Sequence, residues 1–395
     1  MNLEEIEAKA RESVNPSAIS KRSGTSGMTL RERFRRVMQY QTVDRIPNFE
    51  FGYWDETLPL WHEQGLPREI DNEAKAYDYF GIENWGVAPI DLGLRPGFPG
   101  ALIEETDEYV IAVDGNKATY KINKKGFKSI PHYIDFGLKT RADWEEFKER
   151  LQPGPEGRYP DNWDEIAAAY NQRDYPLAVP VGSMIGVPRN WIGFENIALM
   201  CYDDPELLEE IVETLCVVVE TTIERALRDV EFDFAAGWED ICFNSGPVIS
   251  PSIYRAIVMP RYRRIADLCN RHGVHVIWTD CDGNLKPIAD ILLDGGFNCL
   301  FPAEVRGGTD PVELREKYGK RQLIQGGVDK HKLAGTFREI EEEMERLLPV
   351  VEEGGFIPHV DHRVPADVPL ANYKYYLKLK REMFRAGVKE PQCEL

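Results

Sequence analysis

The sequence predicts a single (β/α)8 barrel, and three features of the chain support this fold class. Eight short apolar runs, rich in β-branched and aromatic residues, alternate with long amphipathic stretches, which is the pattern of successive βα units. The chain has 395 residues, and α/β barrels of several hundred residues commonly form one domain. Acidic residues and prolines begin several amphipathic stretches and glycines end others, as expected of helix termini.

The eight apolar runs are the predicted barrel strands, because a count of eight distinguishes a closed barrel from an open sheet. In chain order they are residues 46–52, 85–89, 177–184, 232–238, 274–279, 297–302, 322–327 and 355–360. The amphipathic stretches between them have the apolar spacing of helices that pack on a sheet. The clearest of these predicted helices are residues 205–230, 251–272, 284–294, 310–318 and 336–353.

The chain is predicted to have an N-terminal arm and one large domain. Residues 1–27 form the arm, with a short charged helix over residues 3–13 followed by Ser/Gly-rich sequence. Residues 28–395 form the barrel domain. Within it, residues 97–175 interrupt the βα rhythm, and we interpret them as an insertion over the barrel mouth.

The insertion has its own secondary-structure signals. Two short β-prone runs, residues 108–111 and 119–122, flank the turn sequence Asp114-Gly115-Asn116, which predicts a β-hairpin. A polar helix over residues 141–151 follows the hairpin. The predicted insertion after the second strand therefore contains a hairpin and a helix.

Composition excludes several classes of function. The formal net charge of −19 argues against a surface that binds nucleic acid or anionic lipid, because such surfaces rely on clustered Lys and Arg. The seven cysteines are scattered and odd in number, which favours a reducing cytoplasm over a secreted disulfide framework. The N-terminus lacks a signal-peptide core and no apolar stretch is long enough to span a membrane. We expect a cytoplasmic protein that acts on a small molecule.

Polar side chains follow most of the predicted strands, at the end of a barrel where active sites form. Six of the eight strand ends carry a carboxylate. For residues such as Asp310 and Asp329, capping of the next helix is a sufficient explanation. Others directly follow strands that should be buried, where carboxylates repel unless a cation, a shared proton or an arginine compensates. The residues predicted to be catalytic are Glu239, Asp280, Asp282, Glu304 and His362.

Two chemistries could use these residues. The first is metal binding, in which carboxylate, imidazole and thiolate converge on zinc and leave one position for substrate. The predicted zinc ligands are Asp280, Cys281, Asp282, Glu304 and His362. The second is metal-free acid/base catalysis, in which a carboxyl group of raised pKa donates a proton while an arginine or histidine holds an anionic substrate.

Further polar and aromatic residues near the strand ends are predicted to contact substrate. They are Tyr53, Trp54, Arg189, Trp238, Asp240, Asn244, Asn284, His359 and Arg363. The aromatic side chains could stack on an aryl ether or surround a methylammonium by cation–π attraction. They could equally form an apolar loop packed beneath the insertion.

Several segments resemble the uroporphyrinogen decarboxylase superfamily, in particular its decarboxylase-like and corrinoid-dependent methyltransferase members. The matching segments are Arg31-Glu32-Arg33-Phe34, Val43-Asp44-Arg45-Ile46-Pro47, residues 182–196, Trp238-Glu239-Asp240, Ser250-Pro251, Asp282-Gly283-Asn284, Gly326-Gly327-Val328-Asp329-Lys330 and residues 361–369. The resemblance spans nearly the whole chain from Thr29 onward. It implies the same (β/α)8 barrel that the strand count predicts.

The sequence departs from this family at two places that bear on function. Uroporphyrinogen decarboxylases have an arginine-rich motif after the first strand, whereas residues 51–56 here are aromatic and acidic and would repel a polycarboxylate substrate. The zinc methyltransferase branch has His-x-Cys after the fifth strand and Cys after the eighth. Here Asp280-Cys281-Asp282 and His362 lie near those positions. A shift of one residue in the comparison with the family would change which residue replaces which ligand, so this correspondence stays open.

The resemblance and the missing arginines lead to a corrinoid-dependent methyltransferase as the first hypothesis. A zinc or acid site would polarise the leaving group of a small methylated substrate, either an aryl ether or a methylamine. The sequence contains no cobalamin-binding signature, so the cobalamin is expected on a separate corrinoid protein that docks over the barrel mouth. The alternatives are a cofactor-independent decarboxylase and a non-catalytic binding barrel, and a homodimer is compatible with each.

Overall fold

The computed structural model describes residues 27–125 and 131–385 of the chain. The predicted arm helix over residues 3–13 and Cys393 lie outside the described residues. The main sheet has seven parallel strands in the order β1-β6-β7-β10-β11-β12-β13. These strands are Gly86–Val87 (β1), Leu177–Gly182 (β6), Phe234–Trp238 (β7), Ile277–Asp280 (β10), Cys299–Phe301 (β11), Leu323–Val328 (β12) and Phe356–Val360 (β13).

Two small antiparallel sheets accompany the main sheet. Their strands are Ala101–Glu105 (β2), Tyr109–Val113 (β3), Thr119–Asn123 (β4) and His132–Asp135 (β5) in one sheet, and Cys242–Phe243 (β8) and Gly246–Pro247 (β9) in the other.

The described α-helices surround the main sheet and cover the segments between its strands. They are Leu30–Met38 (α1), Thr57–Glu63 (α2), Glu73–Phe80 (α3), Arg141–Lys148 (α4), Trp163–Tyr170 (α5), Gly186–Ile192 (α6), Phe194–Asp203 (α7), Pro205–Asp229 (α8), Pro251–Ile253 (α9), Met259–Arg271 (α10), Ala289–Asp294 (α11), Pro311–Tyr318 (α12), Lys330–Ala334 (α13), Phe337–Glu353 (α14) and Leu370–Met383 (α15).

The curled parallel sheet with helices around it is a TIM-barrel-like fold, as the sequence predicts. Strands β12 and β13 are buried along their whole length, which explains why their sequences are largely apolar, with Gln325 and His359 as their polar residues. The interior is filled by aromatic rings from strands that are not neighbours in the sheet. Trp85, just before β1, meets Trp278 of β10 with ring centroids 5.3 Å apart, so both side chains face the barrel axis.

The first predicted strand, residues 46–52, is not a regular strand, and this part of the prediction is wrong. Residues 46–53 nevertheless lie between the last and first strands of the sheet. The backbone N–H of Val364 donates to the carbonyl of Gly52, and that of Glu83 donates to Asn48. Pro47, which has no N–H to donate, and Gly52, with a φ of 95°, lie within this irregular segment.

The predicted hairpin around Asp114 is present as β3 and β4, and its sheet is larger than predicted because β2 and β5 extend it on either side. This sheet contacts the segment after β6. The indole N–H of Trp191 donates to Asn116, and the backbone N–H of Leu138 donates to the Trp191 carbonyl. The insertion therefore packs at the end of the barrel where the parallel strands finish.

Two of the predicted helices differ in detail from the structure. The helix predicted over residues 284–294 begins at Ala289, because the N–H of Asn284 donates to Phe243 and that of Leu285 donates to Thr309. The helix predicted over residues 251–272 contains a π-helical segment at Tyr254–Val258. Among the described helices, none is long and apolar enough to cross a membrane.

Candidate active site at the carboxyl end of the barrel

Three carboxylates converge at the ends of two neighbouring strands. Asp280 is the last residue of β10, Asp282 follows it by two residues, and Asp240 lies two residues beyond β7. One oxygen of each carboxylate lies within 4.8 Å of the other two. We call these three residues the acid cluster. They meet because β7 and β10 pair in parallel, with Trp238 opposite Asp280.

The acid cluster carries an unfavourable concentration of negative charge. Burial, and then the carboxylates of Asp240 and Asp282, raise the pKa of Asp280 well above its ordinary value. Burial and Asp282 likewise raise the pKa of Asp240, although Arg189 opposes this. Oδ1 of Asp282 is buried and has no hydrogen-bond partner within the described chain. The cluster therefore needs a proton or a bound cation to relieve the repulsion.

His362 lies beside the acid cluster and is held on two sides. Its Nε2 is 3.0 Å from Oδ2 of Asp282. Its ring stacks on Trp54, with centroids 5.1 Å apart and planes 15° apart, and Phe51 meets it edge-on at 5.6 Å. The imidazole is thus fixed in orientation next to a carboxylate, which is the arrangement that proton transfer requires.

Glu304, predicted as a metal ligand, takes part in an ion pair instead. Its Oε1 is 2.5 Å from Nζ of Lys330, and its Oε2 accepts a hydrogen bond from the N–H of Gly283 at 2.9 Å. Burial opposes the charge on Lys330, but Asp361, Glu304 and Asp282 together raise its pKa. This lysine, which the predicted site did not include, links the ends of β11, β12 and β13.

Cys281, also predicted as a ligand, lies apart from the acid cluster. Its thiol contacts the thiol of Cys242, and this contact and burial raise the pKa of Cys281 well above its ordinary value. Its Sγ also lies 3.6 Å from the carbonyl oxygen of Asp282. Asp280 and Asp282 remain in the converging group, and Asp240, predicted only as a substrate contact, joins them.

Glu239, predicted to be catalytic, is fully buried beneath the site. Its carboxylate accepts hydrogen bonds from the backbone N–H groups of residues 184–186, from the hydroxyl of Ser183 and from that of Tyr262. Burial raises its pKa to about 7, although these donors act in the opposite direction. Glu239 therefore holds the segment between β6 and α6 in place.

Of the predicted substrate contacts, Trp238 and Arg189 lie beside the acid cluster. The Arg189 guanidinium is 5.7 Å from the Trp238 ring and 4.7 Å from that of Phe194, and it donates to the carbonyl of Asp240. Asn244 is exposed on the loop between β8 and β9. The side chain of Asn284 accepts a hydrogen bond from its own loop, at the N–H of residue 286.

Two other predicted contacts belong to the scaffold. Tyr53 is 3% exposed, and its hydroxyl lies 3.0 Å from that of Tyr373 in the packing between α2, α3 and α15. Arg363 donates to the carbonyl of Tyr53 and to the carboxylate of Glu73. Their spacing in sequence resembles that of site residues, but their side chains turn away from the acid cluster. His359 faces the barrel interior.

A TIM-barrel-like fold with titratable groups crowded at the strand carboxyl ends is the architecture in which barrel enzymes place their active sites. The family model described as uroporphyrinogen decarboxylase (URO-D) matches residues 135–383. Because the match covers more than half of the chain, the protein belongs to the uroporphyrinogen decarboxylase family.

Among solved structures, a methyltransferase from Methanosarcina mazei has a similar fold. Its TM-score is 0.56 and its sequence identity is 16%, and the alignment covers 91% of this chain and 100% of that one. At this identity the likeness concerns the fold alone. No curated protein matches the sequence.

Proposed function

We propose that this protein is a methyltransferase that moves a methyl group from a small methylated substrate to a corrinoid protein, with the acid cluster activating the leaving group. The observation that carries the proposal is the convergence of Asp240, Asp280 and Asp282 within 4.8 Å at the barrel mouth. Three carboxylates so close together favour a bound cation or a retained proton, and either one can activate a leaving group.

The donor set fits a divalent cation. Carboxylate oxygens from Asp240, Asp280 and Asp282 are ligands that zinc and harder divalent ions accept, and the imidazole of His362 lies within reach of the same carboxylates. The buried Oδ1 of Asp282 is an available ligand atom because it has no hydrogen-bond partner within the described chain. A bound cation would act as a Lewis acid on the oxygen or nitrogen that carries the methyl group.

The protein's own groups supply the rest of the step. The bond from the methyl carbon to oxygen or nitrogen breaks, and the leaving atom keeps that electron pair and takes a proton. The electron pair of the new bond comes from Co(I) of the acceptor. When a cation occupies the acid cluster, Asp280 is an ionised ligand and His362, held by Asp282 and Trp54, is the group that can deliver the proton. When the cluster holds a proton in place of a cation, Asp280, whose pKa burial and its neighbours raise, can deliver it.

In this proposal the corrinoid arrives on a separate protein. The acceptor must approach the carboxyl end of the barrel, where the acid cluster lies. Exposed aromatic side chains at this end, Phe194 and Phe243, have ring centroids 5.2 Å apart and offer apolar surface to a docking partner.

Metal analysis with matched variants tests this proposal. We expect one divalent ion per chain after incubation with zinc and gel filtration, and we expect Asp282→Asn and His362→Ala to lower this occupancy. Asp267→Asn, at an exposed position of α10, is the control and should retain it. A wild-type protein that binds no metal and releases CO2 from an organic acid would contradict the proposal.

Cofactor-independent decarboxylation is the second candidate, and the raised pKa of Asp280 favours it. A carboxyl group that holds its proton more tightly than an ordinary carboxyl group can protonate the carbanion left by CO2. The two arginines among the predicted substrate contacts are engaged elsewhere, because Arg189 donates to the carbonyl of Asp240 and Arg363 to that of Tyr53. For this reason we place it second.

A further inference from the structure

A cavity lies at the amino end of the barrel, opposite the acid cluster. Residues just before four of the parallel strands line it, namely Asp233 before β7, Val276 before β10, Asn298 before β11 and Arg321 before β12. The end of α1 forms another wall. The cavity has a volume of about 600 Å³, which is within the range of small-molecule pockets. A ligand bound here would not contact the acid cluster.

The buried part of the cavity lining is apolar. Met38, Phe232 and Leu323 belong to it, and each of them is at most 5% exposed. The ring of Tyr40 lines the same cavity and is half-buried. These side chains offer a surface on which the apolar part of a ligand can be removed from water.

The exposed part of the lining is positively charged, although the whole chain has a formal net charge of −19. Lys320 and Arg321 are neighbours in the 3₁₀ turn Gly319–Arg321, and both are exposed. Within residues 27–125 and 131–385, neither has an acidic partner, and the Lys320 ammonium lies 5.1 Å from the centroid of the Tyr40 ring. We call this cavity the basic pocket.

The acidic residues that line the basic pocket are already neutralised. They are Glu231 and Asp233. The Asp233 carboxylate accepts hydrogen bonds from Arg31, Arg35 and Arg173, and Glu231 forms ion pairs with the first two of these arginines. Three guanidinium groups therefore face two carboxylates. This network adds to the positive charge of the pocket and does not compensate Lys320 or Arg321.

The missing acidic partners are informative because the chain has 67 acidic and only 48 basic residues. Other surface arginines of the described chain are paired, as Arg264 is with Glu213 and Glu220. Lys320 and Arg321 instead repel each other beside a cavity, and a bound anion would relieve this repulsion. Arginine and lysine are also the side chains that proteins use to bind phosphate groups.

We propose that the basic pocket binds a small organic phosphate. Arg321 donates paired hydrogen bonds to the phosphate oxygens, Lys320 supplies a second positive charge, and the apolar part of the ligand lies against Phe232 and Leu323. Such a ligand uses both parts of the lining, whereas inorganic phosphate would use the charged part alone. This site is separate from the acid cluster and does not depend on the proposed function.

Calorimetric titration of chelator-treated protein at constant ionic strength tests the inference with three probes. At pH ~8 phenyl phosphate carries two negative charges, and we expect it to bind at one site per chain. It should bind at least about tenfold more tightly than inorganic phosphate, which lacks the ring, and than benzoate, which has a single charge. Absence of phenyl phosphate binding, or an affinity equal to that of either other probe, would overturn the inference.

Three lysine and arginine variants locate the phosphate group. Lys320→Met and Arg321→Met should each lower the affinity for phenyl phosphate at least about tenfold, because each removes a positive charge next to the anion. Both positions are exposed, so the urea midpoint should not change. Lys332→Met, on α13 at the opposite end of the barrel, removes the same charge and should keep the wild-type affinity. An equal loss in Lys332→Met would mean that only the overall charge matters, and this overturns the inference.

Two active-site variants exclude binding at the other end of the barrel. Phenyl phosphate could also reach the acid cluster, so Asp282→Asn and His362→Ala are titrated in the same way. Both should bind phenyl phosphate with the wild-type affinity. Loss of binding in these variants together with wild-type binding in Arg321→Met would place the ligand at the acid cluster and overturn the inference. None of the probes is a methyl donor, so the result is independent of methyl transfer.

Discussion

Replacing Asp280 by asparagine (Asp280→Asn) should stabilise the metal-free protein at neutral pH, although the residue lies in the proposed active site. The cluster oxygens lie within 4.8 Å of one another. Two unit charges at that separation repel by about 3.5 kcal/mol at an effective dielectric constant of ~20 and about 0.9 kcal/mol in water. Because Asp282 is partly exposed, solvent screening reduces this repulsion. We therefore expect Asp280→Asn to raise the free energy of unfolding by about 1–3 kcal/mol.

The gain should depend on pH in a defined direction. The pKa of Asp280 is raised in the folded protein, so the folded state binds this proton more tightly than the unfolded state. The wild-type protein therefore loses stability as the pH rises from the unfolded pKa of about 4 through the folded value. The advantage of Asp280→Asn should be small at pH ~4 and largest above the folded pKa.

Urea unfolding of chelator-treated protein at pH ~4.5 and ~8 measures this difference. Asp267→Asn removes an exposed carboxylate on α10 and should change stability by less than about 0.5 kcal/mol at either pH. A destabilised Asp280→Asn at pH ~8, or a gain of equal size at both pH values, would refute the view that the acid cluster is strained by like charge.

Three further predictions concern stability. Glu239→Gln should lower the free energy of unfolding in urea by about 2 kcal/mol. The NH2 group of the glutamine would face N–H and O–H donors whose hydrogen bonds the carboxylate of Glu239 accepts. An unchanged urea midpoint would contradict this role. Lys380→Met should lower the free energy of unfolding by about 3–5 kcal/mol, because the buried carboxylate of Glu50 would lose its ion pair with Lys380. Adding Glu50→Gln to this variant should recover part of the lost stability. Gly326→Ala should prevent soluble expression, because its Cβ would lie 1.6 Å from the Pro302 carbonyl oxygen; a folded variant would disprove this.

The sequence predicted most of the barrel because its strands are largely buried and form largely apolar runs. The first strand position was less predictable. Residues 46–53 contain apolar residues, but they form few backbone hydrogen bonds to the neighbouring strands, and the carboxylate of Glu50 accepts a hydrogen bond from the N–H of Val360 instead. Apolar content indicates that a segment is buried, whereas ladder bonds depend on backbone geometry.

The candidate site was predicted in part. Asp280, Asp282 and His362 do meet, because strand ends gather at one end of a barrel. The sequence did not identify Asp240 as a member of the acid cluster, although its position just after β7, next to β10, was a usable signal. It also could not show that the Cys281 thiol turns towards Cys242, because side-chain direction in a loop does not follow strand alternation.

The most direct test of the proposed function is transfer of a radiolabelled methyl group to cob(I)alamin. We expect label from methyl-labelled 2-methoxyphenol or trimethylamine to appear on the cobalamin with wild-type protein, and the rate to fall at least about 100-fold in His362→Ala. Asp267→Asn should keep the wild-type rate. Cobalamin that stays unlabelled with both donors, together with CO2 release from an organic acid, would contradict methyl transfer.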